Sequence, residues 1–236
     1  LKVYFTGLRS TLRRLEPHLA GHRLVHVPLL APGPLEEGLR RLRRLLHEGR
    51  RIGALAFTSK TSVEIALSAS PEIKRFEGPV FAMGPGTRAA LKERGLKEVL
   101  MPEGHNTGSL TSFILSRLGG ATVLVLCSSS SPLIAAAPGH WLVLPLYELR
   151  IDESEAKRLA RLCRGERAAI VVTSALAAEA LVRHREAFGQ ARLFAISERV
   201  ASRLRGGGLE PYWTFSGRDM GLFPQALKQA LEPLGR

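Results

Sequence analysis

Apolar and polar positions along the chain switch period repeatedly, and the switches recur at similar intervals. Short apolar runs such as TVLVLC (122–127) and AAIVVT (168–173) contain hardly a polar position. Such runs suit strands buried on both faces of a parallel sheet, since half-exposed strands would alternate. Other segments space their apolar residues three or four apart. In EEGLRRLRRLLHEGRR (36–51), Leu39, Leu42, Leu45 and Leu46 form one stripe, with acids at the start and Arg toward the end. That pattern predicts a helix with one buried stripe and a solvated basic face. Reading on in this way predicts strands over 2–6, 23–29, 52–57 and 79–83, then an apolar stretch over 98–101. A second series follows over 122–127, 141–147, 168–173, 192–196 and 210–213. Helices separate the strands, so the expected architecture is α/β with parallel sheets covered on both faces.

The two series are copies of each other. AFTSKTSVEIAL (56–67) matches VVTSALAAEAL (171–181), with Thr58, Ser59 and Glu64 recurring 115 positions later as Thr173, Ser174 and Glu179. FAMGPGTRAALKERGL (81–96) matches FAISERVASRLRGGGL (194–209) at an offset of 113, and HRLVHVPLL (22–30) resembles HWLVLPLYE (140–148). Offsets that drift by so little across several segments indicate a tandem duplication. The fold class is therefore two similar doubly wound parallel-sheet domains.

Small polar residues collect where the strands end: Thr6, Thr58-Ser59, Cys127-Ser128, Thr173-Ser174, and the turns after Met83 and Ile196. In open α/β sheets that edge is where ligands bind. Each of these residues also fits a plain helix cap, and the two roles use the same backbone N–H groups. The Gly-Pro-Gly turn of FAMGPGTRAALKERGL resembles a dinucleotide loop only in part. Ala89 stands where a third Gly belongs, Pro85 has no N–H to offer an anion, and the second copy has lost both glycines.

Composition narrows the chemistry. Of 236 residues, 45% are hydrophobic and the net charge is +13, carried mostly by Arg, which points to an anionic partner. Two cysteines fit a reducing compartment rather than a disulfide framework, and Cys127 at a strand end reads as a small buried hydrophobe. The seven His show no metal-ligand spacing, so no metal is expected. No apolar run reaches the roughly 20 residues that span a bilayer. The opening LKVYFTGLRS reads as a strand and turn rather than a signal peptide, and a cytoplasmic location is the expectation.

Taken together and in order, FTSKTSVEIAL (57–67), FAMGPGTRAALKERGL, MPEGHNTGSL (101–110), VLVLCSSSSPL (123–133), LPLYELR (144–150), VVTSALAAEAL and FAISERVASRLRGGGL resemble the uroporphyrinogen-III synthase family over nearly the whole chain. The resemblance implies a cofactor-free, cyclising lyase. Its substrate would be hydroxymethylbilane, closed to uroporphyrinogen III with the last pyrrole ring inverted. It implies a discontinuous domain, 1–30 with 149–236, and an inserted domain, 31–148, joined by two antiparallel strands at 28–34 and 145–150 with a cleft between. It implies Tyr147 as the catalytic residue. It also implies substrate-binding turns carrying Thr58, Ser59, Lys60, Gly84, Thr87, Ser128, Ser129, Thr173, Ser174 and Ser197, with Thr87 capping the helix after its turn. A polycarboxylate partner, no nucleic acid, no membrane and a monomeric state complete the expectation. The second copy departs from the family at Val200, where a Thr is commoner, and the first strand ends in FTGLRS. Two other readings are open: a non-enzymatic two-domain binder of anionic small molecules, and a nucleic-acid binder suggested by the charge, for which the chain has few aromatics.

Overall fold

A computed structural model describes residues 1–47, 52–217 and 219–234. The end of the basic run, 48–51, lies outside the described residues. In chain order come β1 (Lys2–Phe5), α1 (Arg9–Leu15), β2 (Arg23–His26), β3 (Leu30–Pro34) and α2 (Glu36–His47). Next are β4 (Ala54–Phe57), α3 (Lys60–Ala69), β5 (Val80–Ala82), α4 (Pro85–Glu93), β6 (Val99–Leu100) and α5 (Thr107–Leu118). Then follow β7 (Val123–Ser128), a single turn α6 (Leu133–Ala136), β8 (Leu142–Ile151) and α7 (Glu153–Cys163). The chain closes with β9 (Ala169–Val172), α8 (Ala175–Arg183), β10 (Arg192–Ala195), α9 (Glu198–Gly206), β11 (Trp213–Thr214) and α10 (Phe223–Leu231).

These elements form two compact units, Leu1–Ala31 with Arg150–Arg236, and Pro32–Leu149. The first holds a sheet of order β11-β10-β9-β1-β2 and the second a sheet of order β3-β8-β7-β4-β5-β6. Within each, β1 pairs in parallel with β2 and β9, and β7 pairs in parallel with β8 and β4. Both sheets therefore have the same doubly wound order, with β3 added at one edge of the second. Apart from β3, each takes two strands from one copy of the repeat and three from the other.

Period-two burial explains why each sheet needs helices on both faces. In β9, Ile170 and Val172 pack with α7, α8 and α9, while Ala169 and Val171 pack with α1 and α10. In β4, Leu55 and Phe57 pack with α2, α3 and α4, while Ala54 and Ala56 pack with α5. The stripe of α2 is buried at Leu39, Leu42 and Leu45 and half-buried at Leu46, as its spacing predicts. Helices α5 and α10 go beyond the predicted series. Their spacing of Leu110 with Ile114, and of Phe223, Leu227 and Leu231, fills the second face of each sheet. Among the described residues no helix is long and apolar enough to cross a membrane.

Candidate functional site

Parallel pairing brings the carboxyl ends of the strands of each sheet, β3 aside, to one edge, and the strand order reverses between β7 and β4 in one unit and between β1 and β9 in the other. Loops diverge at such a switch point and leave room for a ligand. In the first unit, Gly7 and Thr173 meet there. A Cβ on Gly7 would lie 2.8 Å from the Thr173 side chain, so only glycine lets the loops approach this closely. Thr6 is buried and donates both its N–H and its hydroxyl to the Val171 carbonyl.

In the second unit the same edge carries a hydroxyl cluster. Ser59 ends the extended segment after β4 and caps α3, its Oγ accepting the Ser62 N–H at 3.0 Å. Ser62 closes a reciprocal capping box, its Oγ accepting the Ser59 N–H at 3.3 Å and donating to the Ser59 carbonyl at 2.7 Å. The Tyr147 hydroxyl lies 3.0 Å from Ser59 Oγ, and the ring is 7 % exposed. First-turn N–H groups of a helix have no intrahelical partner, so those of Lys60 and Thr61 are available at this edge.

Tyr147 reaches Ser59 because β8 breaks its own alternation. Leu144 and Leu146 face the core shared with α2 and α3, and Val143 faces the opposite core. A regular strand would send Tyr147 to the side of Val143. Pairing with β7 instead shifts register between Cys127 and Ser128, whose partners are Pro145 and Tyr147. The extra residue re-aims the side chain, as β-bulges do, and Tyr147 joins the core of Leu144 and Leu146. Two backbone contacts fix the bulge: the Ser129 N–H donates to the Tyr147 carbonyl at 2.8 Å and the Leu35 N–H donates to the Leu146 carbonyl at 2.8 Å. Helix α2 lies directly over it, since a Cβ on Gly38 would collide with the Pro145 carbonyl oxygen.

The other expected residues fall on the same strand-end edges with different surroundings. Thr58 is half-buried and its hydroxyl donates to the Leu126 carbonyl at 3.4 Å. Lys60 is exposed and 3.7 Å from Glu64. Ser128 is half-buried and ends β7, and Ser129 after it is exposed. Thr173 and Ser174 are half-buried after β9, and Ser174 caps α8 by accepting the Ala177 N–H at 3.1 Å. Ser197 is the cap position of α9, without a side-chain cap bond.

Thr87 does not cap its helix. Gly84 occupies the cap position, Pro85 opens α4, and Thr87 sits third, 6 % exposed. Its counterpart Val200 is 3 % exposed and packs with the α8 and α9 core. The two positions are alike in burial, so a β-branched side chain serves both, and the departure at Val200 fits a packing role.

The cysteines take no part in this edge chemistry as nucleophiles. Burial pushes the Cys127 thiol up to about 11, with the Ser131 hydroxyl pulling weakly the other way, and burial pushes Cys163 up to about 12. Both stay protonated near neutrality. Among the described residues no group of His, Cys, Asp and Glu could hold a metal ion. Sequence reading finds Ser59 and Tyr147 separately. It misses Ser62, Gly38 and the bulge; a Gly in the first turn of α2 is the one visible sign.

A family model described as HEM4, uroporphyrinogen-III synthase HemD, matches residues 15–221. Among solved structures, a uroporphyrinogen-III synthetase from Helicobacter pylori 26695 is similar at 17% identity and a TM-score of 0.56, over 97% of this chain and 99% of that one. A wild-type uroporphyrinogen III synthase from Thermus thermophilus is 22% identical with a TM-score of 0.45, covering 100% of both chains. Among curated protein sequences none matches.

Proposed function

The chain belongs to the uroporphyrinogen-III synthase family, and we propose that it closes hydroxymethylbilane to uroporphyrinogen III as a cyclising lyase. The observation that carries this reading is the family match, which runs through residues of both units rather than one segment. The reaction breaks the bond between the terminal hydroxymethyl carbon and its oxygen. That oxygen leaves as water once it gains a proton, and the carbon it leaves bonds to the last pyrrole. That ring's old methylene bond breaks and re-forms at its other α-carbon, and this carbon then gives up its proton. Tyr147 is the proton donor in this reading, and its oxygen recovers a proton from the closing ring. A phenol is a weak acid, so it transfers the proton only where the leaving oxygen is held within hydrogen-bond reach.

Holding the chain curled so that the inverted ring is attacked is the larger task, and it is one of positioning. The substrate is a polycarboxylate. A net charge of +13 draws such a polyanion in and raises its on-rate. Helix starts at the strand ends bind carboxylates through N–H groups without a dedicated cation for each. In this reading the turns at Thr58, Ser59 and Lys60, Gly84 and Thr87, Ser128 and Ser129, Thr173 and Ser174, and Ser197 supply those contacts. The protein then works as a cytoplasmic monomer without a cofactor. Incubating it with hydroxymethylbilane, oxidising the products and separating the isomers tests the proposal. Isomer III in excess over the spontaneous isomer I is expected, and isomer I alone at the uncatalysed rate overturns it.

A further inference from the structure

We propose that Ser59 is a positioning residue for Tyr147, donating its proton to the phenol oxygen so that the phenol's own proton points outward to the leaving hydroxyl. The inference rests on the function proposed above and deepens it by assigning a direction to one hydrogen bond.

The count of protons and lone pairs accommodates that direction. A serine hydroxyl has one proton and two lone pairs. One lone pair of Ser59 Oγ is taken by the Ser62 N–H at 3.0 Å. The Ser62 hydroxyl is occupied with the Ser59 backbone, donating to its carbonyl and accepting from its N–H. Among the described residues Tyr147 Oη, at 3.0 Å, is the remaining neighbour in hydrogen-bond reach of Ser59 Oγ; the distance suits either oxygen as donor, and the Ser59 proton has no other acceptor among them. An oxygen that accepts from Ser59 has its own O–H free to donate elsewhere.

Chemistry favours the same direction. As Tyr147 gives up its proton, its oxygen gains negative charge. The Ser59 donor strengthens at that moment, and the positive end of α3 stands behind it, in line through the Ser62 N–H. The fold reaches this arrangement through the bulge at Leu146 and Tyr147, the step that brings the phenol to the face of β8 on which α3 begins. The repeat supplies an internal control. Ser174 has the same extended cap geometry as Ser59, with φ −156° and ψ 159° in both, yet its Oγ accepts only the Ala177 N–H among the described residues. A cap serine therefore does not need a phenol partner, and the one at Ser59 is an addition to capping.

The test separates capping from positioning. Glycine is nearly as good a helix cap as serine but has no hydroxyl. Ser59→Gly is expected to lower kcat about tenfold with KM changed by less than about twofold, the loss of one hydrogen bond that matters in the transition state. Ser59→Thr, which keeps the hydroxyl, restores most of the rate. In a Tyr147→Phe background, where turnover is itself expected to fall by about 100-fold or more, Ser59→Gly should add less than about twofold, because its acceptor is gone. Wild-type kcat in Ser59→Gly, or an undiminished loss in the Tyr147→Phe background, overturns the assignment. If the wild-type protein makes isomer III and Ser59→Gly is normal, only this assignment falls. If the wild-type protein makes isomer I alone, the parent function falls and takes the assignment with it.

Discussion

Two joints in the molecule have the same design and different side chains. In one, β2 leads to Leu29, whose carbonyl accepts the Asp152 N–H at the start of α7. In the other, β8 leads to Leu146, whose carbonyl accepts the Leu35 N–H just before α2. Leu29 and Leu146, and Leu35 and Asp152, are each 117 positions apart, so the repeat has preserved the joint itself. Their surroundings differ. β2 continues in phase, with Val25, Val27 and Leu29 on one core and Leu24 on the other, and next comes Leu30, half-buried. β8 slips by one residue after Leu146, which places Tyr147 where the first joint has Leu30. Gly38 lets α2 close over that slip, whereas its counterpart in α7 is Glu155, in an ion pair with Arg158. One bulge and a few side chains therefore separate the second joint, where a phenol meets a cap serine, from the first.

The largest expected effect on stability comes from filling the close contact in the second joint. Gly38→Ala puts a methyl against the Pro145 carbonyl, and backbone cannot rotate away as a side chain would. After the roughly 1 kcal/mol that Ala gains over Gly inside a helix, a net loss of about 1–2 kcal/mol is expected, with kcat falling as the bulge shifts. Denaturant unfolding with parallel turnover assays measures both. Unchanged stability would mean that the second joint is no tighter than the first.

A smaller contrast separates the two cap serines. Ser59→Ala and Ser174→Ala should each lose about 1 kcal/mol of stability with the cap, and somewhat more at Ser59, where the capping box also opens. Ser174→Ala should raise KM through its turn, whereas Ser59→Ala should lower kcat. An equal kcat loss in both would erase the functional difference between the copies.

The smallest effect is acid sensitivity. In the first unit, carboxylates sit below their usual range beside Arg183 (Glu153), Lys2 (Glu166), Arg203 (Glu179) and Arg205 (Glu198), and Asp152 is lowered by the Ser154 hydroxyl. In the second unit, Glu37 beside Arg40 is lowered in the same way. Depressed carboxylates contribute their full stability above their unfolded values, roughly pH 4 to 4.5. They lose it as pH falls from there through the lower folded values. With more such groups among the described residues, the first unit should loosen at a higher pH than the second. Each unit holds one tryptophan, Trp213 in the first and Trp141 in the second, so Trp141→Phe and Trp213→Phe variants report the units separately by fluorescence. A transition of the second unit at the higher pH would reverse the comparison.

Much of the fold could be read in advance, for a physical reason. Buried parallel strands such as 122–127 and 168–173 must be apolar throughout, and a helix on a sheet must show a stripe like that of α2, so both leave marks that survive without contacts. The Thr-Ser pairs at 58–59 and 173–174 were legible as helix starts because capping is local. Thr87 misled because a Thr after a Gly-Pro-Gly turn looks like a cap, while its neighbours in space bury it as they bury Val200. The Ser59–Tyr147 contact spans 88 positions and has no local signature at either end.

The sequence alone determined the inventory: eight strands and two short apolar stretches in two like series, their order along the chain, and the hydroxyls at the strand ends. It did not determine which strands share a sheet. β1 and β7 are both apolar runs ending in small polar residues, so either would fit beside β4 or β9, and only tertiary contacts put β1 with β9 and β7 with β4. Nor did it determine the face of Tyr147. Period two assigns a side chain to a face only while register holds, and register at β8 is set by hydrogen bonds from Ser129 and Leu35, which lie beyond the strand itself. The tertiary structure decided the surroundings of Tyr147 because one slipped residue turns a side chain to the opposite face.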